Sequence, residues 1–165
     1  MISPSAYLEI NLKNLIFNYK FLSKINKNSI TAATIKANAY GLGDKKIFEV
    51  LNKAGCKNFF VATIGEALRL RKKFNKGSIY ILNGIRKKDN NKLNKYKNIF
   101  PILNSVKDLL VSNSLKKNNL CIHFDTGINR LGLNCNEIIK IDKKNLKKIK
   151  MIISHYASAD ESANK

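Results

Sequence analysis

Six short apolar runs recur along the chain, each nearly continuous in apolar residues rather than alternating with polar ones. Such runs are typical of strands that are buried on both faces of a parallel sheet. Their starts lie roughly 20 to 30 residues apart, which is the spacing of a repeated strand and helix unit. The runs are residues 30–36, 59–63, 79–83, 99–103, 120–124 and 150–154.

Segments with helical spacing lie between the runs, and polar residues or glycine mark their ends. Asp44 is predicted to N-cap one helix that Gly55 terminates, and Thr63 with Glu66 three residues later resembles a capping box for the next. Ser105 is predicted to cap a third helix. The residues predicted to face inward on that helix are Val106, Leu109 and Leu110. An amphipathic helix is also predicted near the start of the chain, from the repeat of Leu12, Leu15, Ile16, Tyr19 and Leu22.

Alternating strands and helices are compatible with two α/β folds, a doubly wound open sheet or a (β/α)8 TIM-type barrel. The glycine fingerprint of dinucleotide-binding sheets is missing, since Gly41 and Gly43 are not followed by a third glycine at the required spacing. A closed barrel usually needs about 250 residues, and this chain has 165. The pattern therefore predicts an incomplete TIM-type barrel of six parallel strands over residues 1–165.

The chain carries a formal net charge of +20, from 27 lysines and four arginines against 11 acidic residues. A strongly basic balance can indicate nucleic-acid binding. Here the lysines are scattered among many Asn and Ile residues, and Arg, whose planar fork suits phosphates and base edges, is scarce. The lysine-rich stretches at 87–88 and 143–150 are therefore interpreted as solvated faces, and no specific nucleic-acid partner is predicted.

Neither a secretory signal nor a membrane span is predicted, because no window approaches the roughly 18 apolar residues that a bilayer requires. A cytoplasmic protein is expected. The three cysteines, Cys56, Cys121 and Cys135, are odd in number and far apart, so neither a disulfide framework nor a metal site is predicted. Each thiol is expected to pack as a small hydrophobic side chain.

In such a barrel, the side chains that do chemistry lie at the C-terminal ends of the strands. Lys36 ends the first run, where its amine could bond to a carbonyl compound. Tyr40 could donate to a phosphate, and Gly41 and Gly43 would let backbone N–H groups approach one. Asp44 argues against a phosphate, because its carboxylate would repel the anion. The alternative for Lys36 is a surface lysine that extends from a strand end into solvent.

Two further clusters follow the fifth and sixth runs. Arg130 lies in DTGINRLG, which begins at Asp125, and is a candidate for binding a substrate carboxylate. Pairing with Asp125 to hold the loop is the alternative. His155 could stack on a ring or hydrogen-bond beside it, although a single histidine is more often structural. His123, inside the fifth run, is interpreted in the same way.

Four segments resemble motifs of the alanine racemase family. IKANAYGLG resembles the segment around that family's cofactor lysine, DTGINRLG its D-T-G-M-x-R-x-G segment, and SHYASADE its T-H-F-A-T-A-D-E segment. The opening AYLEINLKNLIFNY resembles the family's N-terminal segment. The four segments occur in the family's order and together extend over the whole chain.

The resemblance implies a barrel that binds pyridoxal 5'-phosphate and interconverts L- and D-alanine, which supplies D-alanine for the cell wall. It implies that Lys36 holds the cofactor covalently and carries a proton, and that Tyr40 contacts the phosphate. It further implies that Arg130 binds near the substrate carboxylate and that His155 packs against the pyridine ring. The intact protein is expected to be a homodimer.

The chain departs from the family in three respects. His123 stands where many members have a lysine, in some of them carbamylated, that orients the arginine, and Leu42 stands where many have histidine. The C-terminal β domain, which in the family supplies a second proton carrier to the other subunit, is expected to be absent together with the last barrel strands. The chain is therefore predicted to be an N-terminal fragment with little or no racemase activity alone.

Two alternatives remain open. One is a non-catalytic pyridoxal phosphate binder that keeps Lys36, Tyr40 and His155, and the other is a basic nucleic-acid-binding domain. Barrel decarboxylases of basic amino acids use the same cofactor but fit the motifs less well.

Overall fold

The computed structural model describes residues 6–25, 27–116 and 119–158. Six parallel strands form one sheet in the order β1-β2-β3-β4-β5-β6, so each strand pairs with its neighbours in sequence. The strands are β1 (Ala33–Thr34), β2 (Asn58–Val61), β3 (Ser78–Ile81), β4 (Ile99–Leu103), β5 (Leu120–His123) and β6 (Ile149–Ile153). The helices are α1 (Leu12–Ile25), α2 (Lys36–Tyr40), α3 (Asp44–Lys53), α4 (Ile64–Arg71), α5 (Asn90–Asn94), α6 (Val106–Ser112), α7 (Cys135–Ile139) and α8 (Lys143–Lys148), with a 3-10 turn at Lys87–Asp89. The predicted incomplete α/β barrel is confirmed.

The face of the sheet that carries the helices forms the core. Phe59 and Val61 of β2 and Ile79 and Ile81 of β3 are almost completely buried on this face. Phe48 of α3 stacks on Phe59, with ring centroids 4.1 Å apart. The alternation of buried residues along β2 and β3 therefore shows which face of these strands the helices cover.

The opposite face is the interior of the incomplete barrel. Phe60, Tyr80 and Phe100 share one register across β2, β3 and β4, and their rings stack at centroid distances of 4.9 and 5.3 Å. All three are only half-buried. The prediction of strands buried on both faces is therefore wrong for this part of the sheet, because the described strands do not close over that face.

Two predicted helix starts are confirmed. Thr63 and Glu66 form a reciprocal capping box at the start of α4, and Ser105 accepts a hydrogen bond from the backbone of Asp108 at the start of α6. The predicted inward set on α6 is wrong for Val106 and Leu110, which are exposed. Only Leu109 of that set is buried, because this seven-residue helix turns a single narrow stripe toward the sheet.

The predicted role of Asp44 as a helix cap is wrong. Helix α3 begins at Asp44 itself, and the capping position is Gly43, which has no side chain to make a capping hydrogen bond. The Asp44 carboxylate binds Arg69 of α4 instead. The end of the helix agrees with the prediction, since Gly55 follows its last turn with a φ of 108°.

Helix α1 contacts the core along one narrow stripe. Leu12, Leu15 and Tyr19 pack against the buried residues, as the helical repeat predicts. Leu22, which belongs to the same predicted repeat, is 55% exposed, so that part of the prediction is wrong. The apolar repeat is therefore longer than the part of α1 that rests on the described core.

The cysteines differ in their surroundings. Burial raises the pKa of the Cys56 thiol and raises the pKa of Cys121 to about 11. Cys135 is exposed at the start of α7, so the expectation that all three pack as buried hydrophobic residues is wrong for it.

Among the described residues, no helix combines the length and the apolar character that crossing a bilayer would require.

Candidate cofactor site

A cavity of about 570 Å³ opens at the C-terminal ends of the strands. All four residues that the sequence singles out as site residues line it, namely Lys36, Tyr40, Arg130 and His155. They come from three separate segments, after β1, β5 and β6. The remaining lining residues are Thr34, Phe60, Ala62, Leu82, Asn83, His123, Leu131, Ile153 and Ser154. The parallel sheet therefore brings together residues that are more than a hundred positions apart in sequence.

Lys36 and Tyr40 are carried on a left-handed turn, called here the lysine turn (α2, Lys36–Tyr40). Its last four residues, Ala37 to Tyr40, have φ angles between 51° and 55°, although none of them is glycine. Each such residue costs about 1–2 kcal/mol relative to the right-handed conformation. Contacts with the surrounding structure must offset this strain.

The turn also sets the placement of its two functional side chains. Lys36 is half-buried, and its Nζ lies 6.0 Å from the centre of the Tyr40 ring. Tyr40 is 63% exposed, so its hydroxyl is accessible to a ligand. The polypeptide leaves the turn through Gly41 and Gly43, whose φ angles of 89° and 91° are readily adopted by glycine.

Two side chains of α4 hold the lysine turn and the start of α3. Glu66 accepts a hydrogen bond from the backbone N–H of Ala37 at 2.7 Å. Arg69 donates from Nε and Nη2 to the Asp44 carboxylate, at 3.1 and 2.5 Å. The Asp44 charge, expected to repel a phosphate, is therefore paired with a guanidinium.

The loop after β5 folds back on the strand. The Asp125 carboxylate accepts from the backbone N–H groups of Gly127 and Asn129, which lowers the pKa of this carboxyl. Gly132 closes the loop with a φ of 115°, where an added Cβ would lie 2.8 Å from the Asp125 nitrogen. Arg130 is exposed and makes no ion pair with Asp125, so the proposed pairing that would hold the loop does not form.

Thr126 joins this loop to the end of β6. Its hydroxyl lies 2.7 Å from the Ser154 hydroxyl and donates to the His155 carbonyl at 3.3 Å. The segments that carry Arg130 and His155 are thus tied to each other. His155 itself is exposed, and residues 159–161 of the SHYASADE segment lie outside the described residues.

His123 ends β5 and is almost completely buried beside the cavity. Its Nδ1 lies 3.1 Å from Asn104 Oδ1, and Asn104 Nδ2 donates to the Leu82 carbonyl at 2.7 Å. Because the Asn104 amide must direct its NH₂ to that carbonyl, Oδ1 is the acceptor and His123 Nδ1 carries the proton. Burial lowers the pKa of His123, and the nearby charges of Arg130 and His155 add to the effect while Asp125 opposes it.

The chemistry of the lining suits a small anionic ring compound. Lys36, Arg130 and the two histidines face the cavity, and none of the described residues that line it is acidic. Its volume lies within the range of about 300–1,000 Å³ that is usual for small-molecule sites. The residues present therefore fit pyridoxal phosphate, with an amine available for its aldehyde and positive charge available for its phosphate.

Comparison with known proteins agrees with this geometry. A family model described as "Alanine racemase, N-terminal domain" matches residues 10–165. The chain belongs to this family. The alanine racemase of Rickettsia prowazekii is 41% identical to it over 167 residues, which cover 95% of this chain and 41% of that protein. The alanine racemase of Rickettsia akari is also 41% identical, over 95% of this chain and 47% of that protein.

A solved structure of the same family shows the fold. It is the alanine racemase from Bartonella henselae with covalently bound pyridoxal phosphate, which is 34% identical with a TM-score of 0.82. The match covers 94% of this chain and 48% of that one. This alanine racemase family member thus spans less than half the length of these relatives.

Sequence reasoning missed several residues that build the site. The sequence marks Glu66 only as part of a capping box, and its contact with Ala37 has no local sequence signal because the two are 29 positions apart. No sequence pattern marks Arg69 or Asn104, since their partners likewise lie on other segments. Thr126 was visible as part of DTGINRLG, but its contact with the end of β6 was not.

Proposed function

We propose that the intact protein is a pyridoxal phosphate-dependent alanine racemase that interconverts L- and D-alanine. The observation that carries the proposal is that Lys36, Tyr40, Arg130 and His155 line one cavity in a member of this family. The relative with covalently bound pyridoxal phosphate supports the choice of cofactor. In this proposal the enzyme works in the cytoplasm as a homodimer and supplies D-alanine for the cell wall.

Each cavity residue has a distinct role in this function. When bound, pyridoxal phosphate withdraws electron density from the substrate Cα and so makes its proton easier to remove. Lys36 Nζ would hold the cofactor through its aldehyde carbon, and after the substrate amine has displaced it there, the freed Lys36 amine would carry the Cα proton on one face. Arg130 has no ion pair among the described residues, so its planar fork is available for the substrate carboxylate. Tyr40 would donate to the phosphate, and His155 would pack against the pyridine ring.

The cofactor assignment can be tested by trapping. The chain is mixed with an equal amount of pyridoxal phosphate and reduced with borohydride, and the modified peptides are mapped by mass. Mapping is needed because the chain has 27 lysines, several of them exposed, that can react weakly. We expect modification concentrated at Lys36, and labelling spread over exposed lysines such as Lys45 and Lys46 without enrichment at Lys36 would contradict the assignment.

Racemisation by the chain alone is a separate question. The chain spans less than half of its relatives, and we propose that the second proton carrier is supplied by residues outside it. Purified chain with pyridoxal phosphate and L-alanine is therefore expected to form no more D-alanine than its Lys36→Ala variant. Robust turnover that depends on Lys36 would show that these 165 residues contain the whole catalytic apparatus.

A further inference from the structure

We propose that Glu66 positions Lys36 for its bond to the cofactor, by anchoring the lysine turn to the end of β2. This inference rests on the proposed cofactor role of Lys36. The Glu66 carboxylate accepts three backbone hydrogen bonds from two segments. Oε1 accepts from Ala37 at 2.7 Å, and Oε2 accepts from Ala62 at 2.7 Å and from Thr63 at 2.9 Å.

The position of this anchor explains why it acts on Lys36. Ala37 directly follows Lys36 and is the first residue with left-handed dihedrals, at φ 51° and ψ 51°. Ala62 follows β2 and itself lines the cavity. The carboxylate therefore fixes the point at which the chain turns from β1 into the strained segment, relative to the cavity wall. A strained turn persists only where such contacts over-determine it.

The other end of the turn is held separately. Asn38 accepts from the Gly43 nitrogen at 2.9 Å through its backbone carbonyl and from the Asp44 nitrogen at 3.0 Å through Oδ1. Arg69, one turn after Glu66 on α4, binds the Asp44 carboxylate. The same helix thus contacts both sides of the turn, with Glu66 on the side of Lys36 and Arg69 on the side of Asp44.

The substitution Glu66→Gln separates the anchoring of the lysine turn from helix capping. Glutamine is accepted in a capping box, because one side-chain oxygen can still receive the Ala62 and Thr63 N–H groups. Its NH₂ group then faces the N–H of Ala37, and two donors cannot bond. The opposite amide orientation would lose two hydrogen bonds to keep one. Glu66→Gln is therefore expected to keep the start of α4 and release the lysine turn.

The chain offers a matched control in α7. Asn134 and Glu137 form a capping box there with the same chemistry, in which Glu137 Oε2 accepts from the Asn134 nitrogen at 3.0 Å. The hydrogen bonds of Glu137 involve no residue of the lysine turn. Glu137→Gln therefore makes the same chemical change without touching the proposed function of Glu66.

The experiment measures the fraction of Lys36 trapped by borohydride as pyridoxal phosphate is increased. We expect Glu66→Gln to raise the half-saturating concentration about tenfold, with less selectivity for Lys36 over Lys45. Glu137→Gln should stay close to the unsubstituted chain. Equal half-saturation in the two variants, with both folded by circular dichroism, would overturn the proposal.

Amide hydrogen exchange tests the anchor without the cofactor. The Ala37 amide should be protected in the unsubstituted chain and lose protection in Glu66→Gln, while the Ala62 and Thr63 amides stay protected. Unchanged protection of Ala37 would overturn the anchor even if trapping changed. If the unsubstituted chain is not trapped at Lys36, the cofactor assignment is wrong, and so is the role of Glu66 in cofactor bonding. The hydrogen-exchange result would still decide whether Glu66 anchors the turn.

Discussion

Arg69 donates from both Nε and Nη2 to one carboxylate oxygen of Asp44, at 3.1 and 2.5 Å. The Asp44 side chain is 4% exposed, whereas that of Arg69 is 44% exposed. The pair joins the start of α3, which follows the lysine turn after Gly41, Leu42 and Gly43, to α4. Its main effect is to compensate a carboxylate that would otherwise be buried without a counter-charge.

Removing the guanidinium alone should therefore lower the free energy of unfolding more than removing both charges does. We expect Arg69→Gln to lower the free energy of unfolding by about 2 kcal/mol, because it leaves the Asp44 carboxylate buried and unpaired. Adding Asp44→Asn should restore most of this loss. Urea unfolding of the two single variants and the double variant measures the coupling, and equal losses in Arg69→Gln and the double variant would contradict this account.

The fold was predictable because its signals are local. The six apolar runs and the capping sequence at Thr63 to Glu66 each specify an element without reference to the rest of the chain. What could not be predicted is which face each element covers. Leu22 and Leu110 fit an apolar helical repeat, yet they are exposed, because packing depends on neighbours that the repeat does not identify.

The site was likewise predictable only in part. Lys36 and Arg130 lie in the segments IKANAYGLG and DTGINRLG, which resemble family motifs. Both residues line the cavity, as their positions after strands predict. The left-handed dihedrals from Ala37 to Tyr40 had no sequence signal, since alanine and tyrosine rarely adopt them. They are imposed by contacts such as that of Glu66, which exist only after the sheet has formed.

Arg71 is expected to be a purely structural residue on the same helix. It is almost completely buried, and its two terminal nitrogens donate to four carbonyl groups at 2.7 to 3.1 Å. The acceptors are the carbonyls of Phe74, Lys76, Gly77 and Asn98. Burial lowers the pKa of Arg71, which agrees with a cation that has no carboxylate partner there.

Arg71→Lys should therefore destabilise the chain by about 2–3 kcal/mol, because one ammonium cannot reach all four carbonyls. Trapping at Lys36 in the folded fraction should not change, since these carbonyls precede β3 and β4, whereas the lysine turn follows β1 at the opposite edge of the parallel sheet. Urea unfolding and the borohydride assay measure the two effects separately. Loss of trapping with unchanged stability would contradict a structural role.

The cysteines should differ in reactivity. Cys135 is exposed, whereas Cys56 and Cys121 are buried and their thiol pKa values are raised. At pH 8 we expect one thiol per chain to react quickly with Ellman's reagent in the native protein, and three after denaturation. Cys135→Ser should abolish the fast phase, and a fast phase that survives this substitution would contradict the burial of the other two.

The stability of the chain should fall as His123 is protonated. Burial lowers the pKa of His123 in the folded chain below its ordinary value of about 6.5. At pH values between the lowered pKa of the folded chain and the ordinary pKa of the unfolded chain, the unfolded chain binds the proton more readily. The free energy of unfolding therefore decreases as the pH falls from about 7 toward 5. The Asn104 contact makes protonation at Nε2 the required change, because Nδ1 already carries a proton in the neutral ring.

His155 provides the control for this titration, since it is the other histidine of the chain and is exposed. Urea unfolding at several pH values should show a clear decrease of stability below pH 7 in the unsubstituted chain and in His155→Asn. The decrease should be weaker in His123→Asn, in which the buried ring is absent. The same pH dependence in all three proteins would show that another group is responsible, and it would remove the basis for a neutral His123 beside the cofactor cavity.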